Sequence, residues 1–206
     1  MINLYTWKTP NGRKVHIMLE ELQLDYKLHK VNIDKDEQYH PDFLKISPNN
    51  KIPVITDDNG LKGKQISVFE SGAILIYLAE KVKSPLFPPN EGERMQIMQW
   101  LMFQMASLGP MLGQAHHFLY KPKEVIPYAQ RRYLEETERL YDVLDERLSK
   151  SSYLAIDTYS IADIAAYPWI CRHPRHQIDL ADYPNVKRWH KTLSERPAVR
   201  KGMEVI

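Results

Sequence analysis

Residues 2–22 read INLYTWKTPNGRKVHIMLEEL, which predicts a strand, a turn and a helix in succession. Ile2 to Trp7 is rich in β-prone residues, and Thr9-Pro10-Asn11-Gly12 has the composition of a turn. Apolar side chains then recur at helical spacing, at Val15, Met18, Leu19 and Leu22. This order brings the turn residues to a helix N-terminus, where unpaired backbone N–H groups and the helix dipole favour an anion.

The rest of the first 82 residues extends this unit into a small mixed sheet. Tyr26 to Ile33 predicts a second strand, parallel to the first because a helix lies between them. Ile52 to Thr56 and Gln65 to Phe69 flank a polar loop that contains glycine, and they predict a β-hairpin. An uncertain short helical piece precedes the hairpin, and a helix follows from Ser71. This is the element order of a thioredoxin-like α/β domain.

A proline-rich segment then divides the chain. Residues 83–90 contain three prolines and interrupt all periodicity, which predicts a linker between domains. Residues 91–206 predict an all-α domain. Its helical patterns run from Glu91 to Phe118, Ile126 to Leu148, Ile161 to Cys171 and Pro184 to Glu195. We therefore expect a thioredoxin-like domain at 1–82, a linker at 83–90 and a helical domain at 91–206.

Composition narrows the functional classes. The 206 residues are 43% hydrophobic and 26% charged, which is typical of a soluble globular protein. The formal charge is +2 with no basic block, so we expect no nucleic-acid partner. No apolar run approaches the roughly 18 residues that span a bilayer, and no signal peptide precedes Arg13, so we expect a cytoplasmic protein without a membrane partner. Cys171 is the single cysteine, which excludes an internal disulfide and a cysteine-based zinc site.

The turn at residues 9–12 is the first candidate site. Redox proteins with this element order often carry Cys-x-x-Cys there, whereas this turn offers the hydroxyl of Thr9 and the amide of Asn11 and no sulfur. A reactive thiol would therefore have to arrive with a ligand. Taken alone, the local sequence favours a simpler interpretation, in which both residues only form a turn and an N-cap. Tyr5 is a rival hydroxyl, although its place in the strand favours packing.

Two further segments could bind a peptide-like ligand. Pro53 stands at the start of an apolar strand, which predicts either a cis bond at Ile52-Pro53 or an ordinary trans proline at an edge. A cis bond would leave the backbone of Ile52 available to an extended peptide. Glu70 and Ser71 lie between a strand and a helix, where they could hold the ammonium and carboxylate of one amino-acid head group. The alternative is a serine N-cap with a favourable neighbouring charge.

These segments together resemble the glutathione transferase family over essentially the whole chain. The matching segments are Thr9-Pro10-Asn11-Gly12, Ser47 to Pro53, Phe69-Glu70-Ser71-Gly72 and Gly109 to Gln114, and they are similar to the bacterial nu-class branch. The resemblance implies the glutathione transferase fold and disulfide reductase activity without a catalytic cysteine. It also implies a homodimer that holds two glutathione molecules, or glutathione disulfide, as co-substrate and needs no metal.

The resemblance also implies individual roles. Thr9 and Asn11 would face the glutathione sulfur, whereas Gln38, Lys51, Ile52, Pro53, Glu70 and Ser71 would hold the peptide. Arg132 would reach a second glutathione from the helical domain. Conjugation of glutathione to small electrophiles, or a non-catalytic regulator that binds glutathione, are the alternatives.

Several features of the second half stay outside this site. Ser160 to Asp163 resembles a capping box and is interpreted as structural. His173 and His176 flank Pro174 and predict a solvated basic loop rather than a metal pair. Cys171 is expected to be a buried helical residue. Four methionines form a stripe that predicts core or dimer packing, with a co-substrate pocket as the alternative; they are Met95, Met98, Met102 and Met105.

Overall fold

The structure is a computed structural model that describes residues 1–120 and 122–204. It divides into two compact units. One unit contains Met1–Ser84 together with the C-terminal residues from Pro197, and the other contains Pro85–Arg196. The C-terminal residues from Pro197 thus group with the first unit, whereas the sequence patterns place them in a helical domain at 91–206.

The first unit is built on a four-stranded mixed sheet. Its strands are β1 (Ile2–Thr6), β2 (Tyr26–Lys30), β3 (Val54–Asp57) and β4 (Ile66–Phe69), and its first helices are α1 (Pro10–Glu21), α2 (Pro41–Leu44) and α3 (Ser71–Lys81). The strand order is β2-β1-β3-β4. β1 pairs parallel to β2 and antiparallel to β3, and β3 pairs antiparallel to β4. The predicted parallel pair and hairpin are confirmed.

Burial explains how this sheet is held. Ile2, Leu4 and Thr6 alternate with less buried residues along β1, as expected for a strand with two different faces. All four residues of β3 are buried, because this strand lies between two neighbours and is covered on both faces. The uncertain helical piece consists of two 3-10 helices, Ile33–Lys35 and Glu37–Tyr39, followed by α2.

The second unit is helical in the described residues. Its helices are α4 (Glu91–Phe103), α5 (Gly109–Leu119), α6 (Pro127–Ser149), α7 (Ile161–Ile170) and α8 (Pro184–Ser194), with a 3-10 helix at His173–His176. The predicted helix from Glu91 to Phe118 is interrupted by a π-helical segment at Gln104–Leu108. Pro110 explains the interruption, because proline has no N–H to donate to the carbonyl four residues earlier.

A last helix, α9 (Pro197–Glu204), was not predicted and belongs to the first unit. It packs on α1. Gly202 allows the close approach, since a Cβ at this position would collide with the backbone of Ile17. Lys201 also forms an ion pair with Glu20 of α1 at 2.6 Å. The contact between α9 and α1 joins residues that are far apart in the sequence, so no local pattern could assign α9 to the first unit. No helix among the described residues has the length and apolar character needed to cross a membrane.

Candidate active site

The N-terminus of α1 is formed by the turn at residues 9–12. The hydroxyl oxygen of Thr9, in extended backbone conformation, accepts a hydrogen bond from the Gly12 N–H at 3.1 Å. A side chain at Gly12 would collide with Thr6 and with the carbonyl of Trp7, so the tight turn requires glycine. The interpretation of Thr9 as an N-cap is confirmed. Its hydroxyl still carries a proton, so capping the helix leaves Thr9 able to donate to an anion.

Asn11 lies in the first turn of α1, one residue after Pro10, and is half-buried. Its side-chain amide is therefore carried by the helix end at which the dipole is positive. The hydroxyl of Thr9 and the amide of Asn11 are donors supplied by two residues of one turn, and Cys171 belongs to the other unit. This end of α1 can stabilise an anion but brings no sulfur of its own.

The loop before β3 is fixed by a residue that sequence reasoning missed. Ser47 is buried, and its hydroxyl donates to the carbonyl of Lys51 at 2.8 Å and accepts from the Lys51 N–H at 3.4 Å. The Ile52-Pro53 bond is cis, as the first of the two alternatives predicted. Ile52 packs on a small cluster of Val31, Phe43 and Val54. The signal for Ser47 was its place beside Pro48 and Asn49 in a turn, because serine side chains often bond to neighbouring backbone groups.

Gln38 lies in the 3-10 helix at Glu37–Tyr39 and is half-buried. Its side-chain carbonyl oxygen is buried and has no hydrogen-bond partner among the described residues. Such an acceptor is uncommon in folded proteins, because leaving it unsatisfied costs about 1–3 kcal/mol. A ligand donor would satisfy it.

Glu70 and Ser71 form the junction between β4 and α3. Glu70 is exposed, occupies the N-cap with φ 68° and ψ 116°, and makes no side-chain capping bond. A positive φ at a residue other than glycine costs roughly 1–3 kcal/mol and is most common at functional sites. Ser71 is the first helical residue and is only 3% exposed. The alternative that Ser71 is the N-cap is wrong by one residue.

Lys14 is the second residue that sequence reasoning missed. It is 1% exposed, and its ammonium donates to the Ser71 hydroxyl at 3.2 Å. Burial lowers the pKa of Lys14 from 10.5 to about 7, and the negative charge of Glu70 opposes this shift. The sequence feature that could have identified Lys14 is its spacing, four residues before Met18 and three before Ile17, which places a cation on the apolar side of α1.

Arg132 lies in the second unit, exposed on α6. Its charge contributes to lowering the pKa of Glu136, behind the larger effect of Arg139. Its contact with a second glutathione stays a prediction.

A separate cavity of about 790 Å³ lies in the first unit, and none of the predicted binding residues lines it. Tyr5, the rival hydroxyl, contributes to its wall and stacks on His29 with ring centroids 4.6 Å apart. The ring of Tyr5 also meets Phe43 edge-on. Tyr5 is therefore a packing residue.

Cys171 and its neighbours show two differences from expectation. Cys171 is half-buried at the C-cap of α7, and its Sγ lies 3.3 Å from Nε2 of His190. His176 is fully buried, so the expected solvated loop is wrong for this residue, and burial lowers its pKa to about 3. No group of three or more His, Cys, Asp or Glu side chains suited to a metal occurs in the described part of the chain.

Comparison with known proteins identifies the class. A family model described as glutathione S-transferase, N-terminal domain, matches residues 9–81, and one described as glutathione S-transferase, C-terminal domain, matches residues 108–197. The chain therefore belongs to the glutathione S-transferase family.

Named relatives and solved structures narrow the comparison. The chain is 52% identical over 205 residues to the disulfide-bond oxidoreductase YfcG of Escherichia coli K12, with 98% of this chain and 94% of that protein covered. A glutathione transferase from Pseudomonas putida with one glutathione disulfide bound per subunit has a TM-score of 0.94 and 43% identity, covering 99% of this chain and 91% of that one. A family member from Pseudomonas fluorescens with two glutathione bound has a TM-score of 0.94 and 41% identity, covering 100% and 93%.

Proposed function

We propose that this protein is a glutathione-dependent disulfide-bond oxidoreductase in which bound glutathione supplies the reactive thiolate. The observation that carries the proposal is the N-terminus of α1, where Thr9 and Asn11 lie in the turn at which redox proteins with this element order often carry Cys-x-x-Cys. The 52% identity to an oxidoreductase of disulfide bonds supports it. So do the glutathione and glutathione disulfide bound to the two structural relatives.

The reaction begins when the bound thiolate attacks one sulfur of a disulfide substrate. A mixed disulfide with glutathione forms, and the leaving sulfur departs as a thiolate that takes up a proton. A second glutathione thiolate then attacks the mixed disulfide, giving glutathione disulfide and the second reduced thiol. Asn11 and Thr9 stabilise the first thiolate through hydrogen bonds and the dipole of α1, and Arg132 binds the second glutathione.

The remaining predicted residues hold the peptide. Glu70 binds the ammonium of the γ-glutamyl group, and Ser71 binds its carboxylate. The backbone of Ile52, with the adjoining Pro53, pairs with the cysteinyl residue, while Lys51 and Gln38 hold the peptide further along. Ser47 supports this role by fixing the backbone of Lys51. Positioning of this kind converts a bimolecular attack into a nearly unimolecular one.

We further propose a homodimer that uses the methionine stripe of α4. Met95 and Met102 are 60% and 45% exposed, and Met98 lies between them, half-buried. Methionine side chains adapt to a partner surface, and large exposed apolar side chains on one helix face are typical of interfaces.

The test is steady-state reduction of hydroxyethyl disulfide by glutathione, measured beside conjugation of glutathione to chlorodinitrobenzene with the same preparation. The proposal predicts strong reduction with weak conjugation. Strong conjugation with weak reduction would instead make the protein a conventional transferase. Inactivity in both assays, with glutathione still bound, would identify a binding or regulatory protein.

A further inference from the structure

We propose that the basic segment after α7, residues 172–176, binds a carboxylate of the disulfide substrate through the guanidinium of Arg175, so that the protein prefers anionic disulfides. The segment contains the 3-10 helix at His173–His176. The inference deepens the proposed function and rests on it, because it names the class of substrate that the bound thiolate attacks. None of the predicted glutathione-binding residues belongs to this segment.

The charges in and around the basic segment have one sign. Burial is the main reason why the pKa of His176 falls to about 3, and the charged groups that add to this effect are His116, Arg172, His173 and Arg175. All four are cationic or neutral, and no carboxylate of the described residues is among them. Like charges held together repel one another, so a bound anion would stabilise this cluster.

His176 lacks a hydrogen-bond partner that its chemistry requires. Its side chain is 0% exposed, and neither ring nitrogen has a partner among the described residues. A neutral imidazole carries one N–H donor, and a buried donor without an acceptor is unfavourable. His116 meets the ring edge-on, with ring centroids 6.2 Å apart. An acceptor carried by a ligand would satisfy the His176 donor.

The guanidinium of Arg175 is suited to bind the anion. Arg175 is half-buried, and its side chain forms no ion pair or hydrogen bond within the described part of the chain. Its guanidinium instead lies over the ring of Tyr120, 4.7 Å from the ring centroid. A guanidinium stacks on an aromatic ring through its face and binds a carboxylate through the fork of donors at its edge. Binding of a carboxylate is therefore compatible with the contact to Tyr120.

The basic segment lies at the same end of the second unit as Arg132. The 3-10 helix of the segment contacts α5, and α5 contacts α6. Gln130 of α6 donates to the carbonyl of Phe118 at 2.9 Å, and the ring of Phe118 stacks on Tyr133 with centroids 5.3 Å apart. These contacts place the first turns of α6, and Arg132 with them, beside the last turn of α5. The second glutathione proposed for Arg132 and the substrate carboxylate proposed for Arg175 thus bind at one end of the unit.

The test compares two disulfides that differ in charge. Hydroxyethyl disulfide is neutral, whereas dithiodipropionate carries two carboxylates, and the reduction of each by glutathione is followed by coupling to glutathione reductase. Since charge-assisted hydrogen bonds are about twice as strong as neutral ones, we expect Arg175→Met to raise KM for dithiodipropionate by about 10-fold. The kcat values, KM for glutathione and KM for hydroxyethyl disulfide should stay within about 2-fold of the wild type. Unchanged turnover of hydroxyethyl disulfide also shows that the variant is folded.

Two further variants serve as controls. Lys187→Met removes an exposed positive charge from α8 in the same unit and should leave KM for both disulfides unchanged. Arg175→Lys keeps the charge without the fork of donors and should give an intermediate KM for dithiodipropionate.

Three results for Arg175→Met would overturn the inference while the proposed function stands. They are an unchanged KM for dithiodipropionate, an equal shift for both disulfides, and a rise of KM for glutathione, which would place the second glutathione at Arg175. If the wild type reduces neither disulfide, the inference and the proposed function are both overturned.

Discussion

Thr9 serves the fold and the proposed chemistry with one hydroxyl group. Its oxygen caps α1 by accepting the Gly12 N–H, and its proton stays available to an anion. Capping the helix and binding an anion are compatible roles for Thr9, because a hydroxyl is both a donor and an acceptor. Thr9 is the N-cap of α1 and Asn11 is not, so a substitution of Asn11 leaves the capping hydrogen bond of Thr9 in place.

Asn11→Ala should lower kcat for disulfide reduction by roughly 10- to 100-fold, since a hydrogen bond to a charged group contributes about 1.5–3 kcal/mol. The affinity for glutathione should change much less, because the other binding residues hold the peptide. Steady-state kinetics and calorimetric titration measure the two effects. A parallel loss of turnover and binding would contradict the assigned role.

Lys14 makes the stability of the protein depend on pH, and its lowered pKa fixes the direction of that dependence. Its pKa is about 7 when folded and near 10.5 when exposed in the unfolded chain. Between these values the unfolded chain binds more protons, so the contribution of Lys14 to stability rises with pH. The cost of burying its charge is present in full below pH 7.

Lys14→Met should therefore stabilise the protein most below pH 7, and this advantage should shrink by about 1 kcal/mol per pH unit between pH 7 and about pH 10. Urea unfolding of both proteins at pH 7, 8 and 9 measures the difference. If the unfolding free energies of the two proteins differ by the same amount at all three pH values, the pKa of Lys14 is not lowered in the folded protein.

Single residues also show what the sequence could not predict. Residue chemistry was sufficient to select Thr9, Asn11 and Ser71 as candidates, because hydroxyl and amide donors beside turns have a recognisable pattern. It was insufficient for Lys14, whose partner lies 57 positions away in sequence and whose burial depends on the packing of α1 and α3. The φ of Glu70 was likewise beyond a local pattern.

At the level of secondary structure, the N-terminus of α7 is held by a buried network of hydrogen bonds. The predicted capping box of Ser160 and Asp163 is confirmed. The Asp163 carboxylate also accepts hydrogen bonds from the Leu154 N–H and from Nε1 of Trp189, both at 2.9 Å. Burial raises the pKa of Asp163, and these hydrogen bonds oppose the shift. One side chain thus joins α7, the preceding loop and α8.

Asp163→Ala should lower the free energy of unfolding by about 3 kcal/mol or more, because several buried donors lose their acceptor together. Asp142→Ala, the same change at an exposed position of α6, should have an effect within about 0.5 kcal/mol. Urea unfolding followed by circular dichroism measures both. Equal effects of the two substitutions would contradict the structural role given to the capping network.

The elements also show where helical periodicity fails. It predicted α6, α7 and α8 closely, because their apolar spacing is regular and each start is marked, by proline in α6 and α8 and by the capping box in α7. It joined α4 to α5, since a π-helical segment keeps nearly the same apolar spacing and only Pro110 marks the break. It missed α9, a helix of eight residues whose stability comes from packing on α1.

At the level of the whole molecule, the methionine stripe predicts that two copies of the chain associate as a dimer. Met95→Lys combined with Met102→Lys should convert the proposed dimer to a monomer, because two charges would enter an apolar contact. Gln96→Lys adds a charge at an exposed polar position of the same helix and should leave the dimer intact. Sedimentation velocity at micromolar concentration reports the mass. A wild-type monomer, or a doubly substituted dimer, would contradict the proposal.

The proposed mechanism requires that the protein supplies no sulfur of its own. Cys171 is the single cysteine, it lies at the C-cap of α7, and its Sγ is 3.3 Å from His190. The most direct measurement is the glutathione-dependent reduction of hydroxyethyl disulfide by Cys171→Ser. The account predicts kcat and KM within about 2-fold of the wild type, because serine keeps the size and the polar contact. A loss of activity in a variant that still folds and still binds glutathione would show that Cys171 takes part in the exchange, and would contradict the account.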